Sequence, residues 1–325
     1  MRFGKLSAEE LQKLVLDKLP HRRGEVILSA AQGEDCSAVK TDGILLVSSD
    51  PITAAMSPES LGELCVSVCC NDIAACGGEP FALTVTLIMP PSAPTEDIER
   101  IMSAAAAKAE SVRVDIIGGH TEFSDCVVRP IISGTAIGKT NRLMAKTALQ
   151  VGDGLYVTKT LAMEGTAIIA DGGRETFTKE EKAIIESYRN GLDVAKESEI
   201  LRAFESVSVM HDITEGGVIG AVAEICLGSG KGADICEQSF PVSALTRRLC
   251  DRYGIDPARF ISSGSMLFAA RSDEAAVALR GFGIPVTQIG KVTSGDILLV
   301  KADGTRISVR PETDEMYKYY ERCGT

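Results

Sequence analysis

The stretch SPESLGELCVSVCCNDIAACGG, residues 57–78, decides how the chain folds. Ser57-Pro58-Glu59 is a helix start: a hydroxyl to cap, a proline in the first turn and an acid near the positive end of the helix dipole. Gly77-Gly78 is the matching stop. Between them Leu61, Val68, Cys69 and Cys76 fall within about 60° of Cys65 on one helical face. Asp72 falls about 20° from Cys65, in the middle of that apolar stripe. An ionised carboxylate there is costly unless it is paired or bound to a cation. Asp72 therefore reads either as half of a structural ion pair or as a metal or ligand group.

Working outward, FALTVTLIM (residues 81–89) is a continuous apolar strand. Thr95 is expected to cap an Ala-rich helix running to about Val112, and 114–117 is a short strand ending at Gly118-Gly119. On the other side, 36–40 and 44–49 read as strands around an Asp42-Gly43 turn, with Asp50 closing the second. Ser7 and Glu10 form a capping box for a helix over 7–18, and 127–138 is a further strand. The break at Leu149-Gln150-Val151-Gly152-Asp153 divides the chain into domains 1–150 and 151–325. The second half alternates strands near 154–158, 207–210, 233–236, 265–270 and 285–291 with helices near 164–171, 178–190, 193–205, 243–253 and 273–281. A helix after Gly216-Gly217 runs to about 227. A hairpin around Asp303-Gly304 and a terminal helix end the chain. Such mixing defines an α/β (α+β) class.

Composition narrows the function. With 325 residues, two domains fit, and with no Trp and 5% aromatics the core rests on aliphatic side chains and cysteine. A net charge of −11 disfavours nucleic acid and anionic membrane surfaces. The charged N-terminal stretch is no signal peptide and no apolar run is long enough to span a bilayer. Ten cysteines without a CxxC pair read as free buried thiols of a reducing, cytoplasmic compartment. The cluster Cys65, Cys69, Cys70 and Cys76 has a metal reading, weighed against ordinary core packing.

Asp35, Asp50, Asp72 and Glu122 stand at strand ends or odd faces of one half, and Mg²⁺ with phosphates takes oxygen ligands of that kind. Each alone is as well explained as a turn cap. Gly118-Gly119-His120-Thr121-Glu122 after a strand permits close approach of a phosphate, or is a plain turn. Asp212-Ile213-Thr214-Glu215-Gly216-Gly217 joins a strand to a helix whose N–H groups suit an anion, or is an ordinary cap. Arg22 and Arg23 are a solvated pair or phosphate partners.

In this order, Gly33-Glu34-Asp35, Ser49-Asp50, Asn71-Asp72 through Gly77-Gly78-Glu79-Pro80, Gly118 to Glu122 and Asp212 to Gly217 resemble the aminoimidazole ribonucleotide (AIR) synthase superfamily. Its members include the purine enzyme, the hydrogenase maturation protein HypE, thiamine-monophosphate kinase and selenophosphate synthetase. The resemblance runs from about residue 20 to 300 and is closest to HypE-like proteins. It implies a PurM-like fold of two α/β domains, the N-terminal sheet forming a barrel with a second copy in a homodimer. It implies ATP and Mg²⁺, with Asp35, Asp50 and Asp72 as metal ligands and Asn71 supporting them. Gly118, Gly119, His120, Thr121 and Glu122 would lie along the phosphates. Asp212, Gly216 and Gly217 would line the cleft from the second domain, with Asp72 and Asp212 as the catalytic pair.

The implied chemistry is ATP-driven phosphorylation of a substrate oxygen, or phosphoryl transfer itself, with a small molecule or a protein thiol as the substrate. Thiamine-monophosphate kinase activity and a dimeric nucleotide-binding protein without turnover are the alternatives; from the residues alone a metal-dependent hydrolase also stands open. HypE carries a Pro-Arg-x-Cys tail. Here Cys323 is followed by Gly324-Thr325 and no Pro precedes Arg322, so Cys323 is either an acylated thiol or a plain helix-end thiol. His120 stands where many relatives have an acid, with Glu122 as a substitute ligand.

Overall fold

In the computed structural model, residues 8, 9, 12, 26–28, 31–54 and 56–323 are described. The Ser7–Glu10 capping box and the Arg22-Arg23 pair lie outside the described residues.

Two sheets organise the chain. The first has the order β1-β2-β3-β6-β4-β5, formed by β1 (Val26–Leu28), β2 (Ser37–Lys40), β3 (Ile44–Ile52), β4 (Glu79–Met89), β5 (Asp115–Phe123) and β6 (Ile131–Thr140). Among the described residues of this sheet only β4 and β5 pair in parallel; α2 (Thr95–Ser111) is the crossover between them, as parallel pairing requires. Helix α1 (Pro58–Ala75) is capped as read: Ser57 accepts from the Ser60 N–H, Pro58 opens the helix, and Gly77 takes φ +77 just past its end. Strands β3, β4 and β6 send Leu46, Leu83, Leu87 and Ile132 toward α1, which meets them with Leu64, Cys65, Cys69 and Ile73. Gly62 allows α2 to close on α1, since a Cβ there would sit 2.1 Å from the Ile101 carbonyl oxygen.

Three expectations change. Strand β3 continues to Ile52, with Asp50 paired opposite Gly134, because β6 offers it a partner along its whole length. Pro94, not Thr95, is the N-cap of α2, and no side chain caps it. Strand β5 does not end at the glycines: Gly118 to Glu122 pair with Thr84 to Ile88 after a bulge. Gly119 is needed there because a Cβ would fall 1.8 Å from the Val85 carbonyl oxygen.

The second sheet has the order β13-β12-β9-β11-β7-β10-β8. Its strands are β7 (Gly154–Thr158), β8 (Val207–Asp212), β9 (Gly232–Cys236), β10 (Met266–Ala270), β11 (Val286–Thr293), β12 (Ile297–Val300) and β13 (Arg306–Ser308). Strands β7 and β10 are buried on both faces, so they read as unbroken apolar runs. Leu155, Val157, Leu267 and Ala269 pack under α6 (Gly217–Ser229). Tyr156, Met266 and Phe268 face the other way, toward α5 (Ala195–Leu201) and α8 (Glu274–Gly281). The remaining helices are α3 (Met163–Asp171), α4 (Lys179–Asn190), α7 (Ala244–Tyr253) and α9 (Met316–Cys323).

The two halves are locked together. Asn71 on α1 donates to the Leu192 carbonyl and accepts from the Val194 N–H, at 2.9 and 3.0 Å. The Arg142 guanidinium donates to the carbonyls of Arg202, Phe204 and Val207. The ends of β3, α1 and β8 thereby meet around one cavity.

Candidate functional site

A cavity of about 620 Å³ lies between the halves, a volume typical of small-molecule sites. Asp35, Asp50, Asp72 and Asp212 all line it. Asp50 comes from β3, Asp72 from α1, Asp212 from the end of β8 and Asp35 from the turn before β2. Asp72 is thus the carboxylate in the apolar stripe of α1, and its place is the edge of the core where the cavity begins. It accepts a short hydrogen bond from Ser48.

These carboxylates are not equivalent. Burial pushes Asp35 up, but the charges of His211 and Lys146 prevail and hold it at about 2. The Lys146 side chain is fully buried; its ammonium pairs with Asp35 and donates to the Met210 carbonyl at 2.9 Å. His211 Nδ1 lies 2.7 Å from Asp35 and its Nε2 lies 2.8 Å from Glu224. Burial works against a charged imidazole, yet Asp35 raises His211 to about 9, so the ring is a cation at neutral pH. Asp35 is therefore an anion clamped between two cations.

Asp72 and Asp212 show the opposite behaviour. Burial, then the charges of Asp212 and Asp50, raise Asp72 well above the ordinary carboxylate range, and it shares a hydrogen bond with Asp50. Burial, then the Asp35 charge, raises Asp212. Asp50 Oδ2 and Asp212 Oδ2 are buried with no hydrogen-bond partner. Carboxylates crowded until they must share protons, with orphaned oxygens, are the donor set a hard divalent cation takes. The residues present therefore fit Mg²⁺. Asp35, His211 and Asp212 also bring one ligand atom each within 4.8 Å of one another. A protonated His211 offers a cation no lone pair; beside this group, Asp72 is hydrogen-bonded to Asp50 and within electrostatic reach of Asp212.

The other sequence candidates lie elsewhere. Asn71 is spent on Leu192 and Val194 and does not reach the carboxylates. Gly118, Gly119, His120, Thr121 and Glu122 lie on the exposed edge strand β5, with His120 Nε2 3.3 Å from Glu122, and none lines the cavity. Gly216 and Gly217 open α6 with φ +84 and +60 beside the lining residues Thr214 and Glu215. The Gly216 N–H, however, donates to Asp314 Oδ2 at 2.6 Å, so a carboxylate of the chain itself already holds this helix N-terminus. The cysteines of α1 are buried free thiols; among the described residues no cysteine belongs to a metal-competent cluster. The buried Cys323 thiol does not line the cavity.

Sequence reasoning missed Lys146, Glu164, Glu224 and Asp314. Lys146 meets Asp35 across 111 residues, so no local pattern marks it. Only His211 carried a signal, standing directly before Asp212.

Two family profiles cover the chain: AIR synthase related protein, N-terminal domain, over residues 26–140, and its C-terminal domain over residues 150–302. A hydrogenase expression/formation protein of Methanocaldococcus jannaschii is 33% identical over 221 residues, which span 66% of this chain and 63% of that protein. The carbamoyl dehydratase HypE of Cupriavidus necator is 25% identical over 241 residues, spanning 71% of this chain and 67% of that one. In fold, the chain is similar to the crystal structure of the hydrogenase maturation protein HypE in complex with ATP, with a TM-score of 0.73 at 20% identity, covering 96% of this chain and 97% of that one. With both halves matched in order, the chain belongs to the AIR synthase related protein family.

Proposed function

We propose that the chain is a Mg²⁺- and ATP-dependent enzyme of the HypE type that activates a carbonyl oxygen by phosphorylation. One observation carries this reading: Asp50, Asp72 and Asp212 converge on one cavity with orphaned or proton-sharing oxygens. The family supports it, since a relative is a carbamoyl dehydratase and a structural neighbour was solved with ATP.

Bound Mg²⁺-ATP would supply the phosphoryl group and neutralise charge on the transferring oxygens. The chain's own residues divide the remaining work. Asp50, Asp72 and Asp212 would hold the cation. Lys146 and His211 keep Asp35 ionised and fixed, and that ordered anion sets the position of the β8 end bearing Asp212. Asn71 fastens α1 to the second half and so holds Asp72 against Asp212. The N-terminal end of α6 is closed to phosphate by Asp314 in this form.

The thiol of Cys323 does not face the cavity, so the activated group is taken from a separate small molecule or protein thiol. Glu164, Glu215 and Asp314 lie near one another on the second-half side, an acidic cluster that disfavours a phosphorylated substrate such as thiamine monophosphate once Glu164 and Asp314, both raised to about 7 by burial, have ionised. We further propose a cytoplasmic homodimer. The face of the first sheet opposite α1 leaves Leu45, Val47, Thr135 and Ile137 only half-buried, and β5 carries the exposed Ile117 and Phe123. Light scattering of the purified chain tests the dimer: a monomer mass at micromolar concentration refutes it. Calorimetric titration with ATP, with and without Mg²⁺, tests the site, and Mg²⁺-dependent saturable binding is the expected outcome.

A further inference from the structure

The cavity has a second end that the aspartates do not use. Between Leu64 and Ala75 every residue of α1 is buried except Val68 and Asp72, which stand one turn apart on one face. Both line the cavity, so α1 presents to it an apolar patch directly beside the acid. Leu64, one turn further, carries that lining to ~12 Å from Asp72 along the helix axis. Strand β3 runs the other way: Asp50 meets Asp72 at the acid end, and Ala54, just past Ile52, reaches the apolar end. There Ala54 packs against the second-half cluster that contains Met316, as does Tyr317. Met316 and Tyr317 also line the cavity, and they lie beyond residues 150–302, where the family profile ends. Tyr317 is half-buried, and Tyr320 meets its ring edge-on, with centroids 6.4 Å apart and planes at 71°.

A partly exposed apolar lining beside a braced aromatic ring favours a flat apolar group, which displaces water from the lining and stacks on the ring. A nucleotide base is one such group. Its polyphosphate, however, would have to reach the aspartates past Glu164 and Glu215, which line the same cavity, with the charge of Asp314 close behind. A neutral molecule meets no such repulsion. We propose that this end is the acceptor subsite: it takes an aromatic group of the molecule that receives the phosphoryl group, and Tyr317 is its specificity-determining residue. The assignment rests on the proposed function, which places the reacting oxygen at the aspartate end. A one-carbon acceptor would leave the apolar end to water, so the geometry calls for an acceptor with a polar head and an aromatic arm.

The test uses the full chain and ligand-observed NMR with tryptophol, a neutral indole bearing a short hydroxyl arm, as the probe. Tryptophol is expected to bind wild type saturably without nucleotide. Its affinity should fall about three- to tenfold in Tyr317→Ala, the loss of one aromatic pair. Val68→Thr, on a different element, should weaken it in the same direction by placing a hydroxyl under the ring. Phe282→Ala removes an exposed aromatic residue that does not line the cavity and should bind tryptophol like wild type. Saturating Mg²⁺-ATP should leave tryptophol bound to wild type, a comparison that needs no variant to fold. No saturable binding to wild type, unchanged affinity in folded Tyr317→Ala or Val68→Thr, an equal loss in Phe282→Ala, or displacement of tryptophol by Mg²⁺-ATP, which would seat the base there instead, overturns the proposal. Because the tryptophol titrations need no nucleotide, their failure is separate from failure of the nucleotide reading, which Mg²⁺-ATP calorimetry reports.

Discussion

Replacing Glu164 by Gln has a consequence whose size follows from the fold. Burial raises Glu164 from the ordinary 4.5 to about 7, with Ser263 opposing the rise and Asp314 adding to it. An acid whose folded value is raised holds its proton in the native state while the unfolded chain has released it. Stability then falls as pH rises from 4.5 to about 7 and is level above. Each pH unit in that window corresponds to about 1.4 kcal/mol, so the full penalty is about 3 kcal/mol, and about 2 kcal/mol of it falls between pH 5.5 and 7. Starting at pH 5.5 stays clear of the isoelectric point near 5.0. Glutamine keeps the shape and cannot ionise. Urea unfolding of wild type and Glu164→Gln at pH 5.5, 6.25, 7 and 8 should show the variant gaining about 2 kcal/mol on wild type between the first and third points. The difference between the curves cancels every other titrating group. Parallel curves would show that Glu164 is ionised throughout, and the case for a buried, orphaned carboxylate would fail.

Three further outcomes follow from the same geometry. Asp72→Asn should abolish Mg²⁺-dependent ATP binding in calorimetry and raise rather than lower the melting temperature without metal, because it relieves crowding with Asp50 and Asp212; a lower melting temperature counts against that crowding. Lys146→Met should destabilise the fold by about 3–5 kcal/mol in chemical denaturation, as it leaves the buried Asp35 with His211 as its remaining counter-charge. Gly62→Ala should destabilise by about 1–3 kcal/mol, since the new Cβ meets the Ile101 carbonyl; a neutral effect would show that α2 moves freely on α1.

How far the sequence is legible depends on the distance over which each feature is determined. Helix α1 is readable because its cap, proline, stripe and glycine stop are all local, and the same stripe exposes Asp72 as anomalous. Gly118-Gly119 carries a real signal with a different cause from phosphate approach. The glycine is demanded by the Val85 carbonyl on a neighbouring strand, a tertiary contact that a linear reading does not contain. The same pairing extends β5 past residues that otherwise look like a turn. Asp35 is legible as an acid before a strand, but its clamping depends on Lys146 and His211, 111 and 176 residues away. Glu164 resembles any first-turn helix acid until Ser263, nearly a hundred residues on, closes the wall around it.

The most direct measurement of the central claim is calorimetric titration of the purified chain with ATP, with and without Mg²⁺. Saturable binding that requires Mg²⁺ and is lost in Asp72→Asn is the predicted result. Equal binding with and without Mg²⁺, or no binding in either condition, would contradict the assignment of Asp50, Asp72 and Asp212 as the cation site.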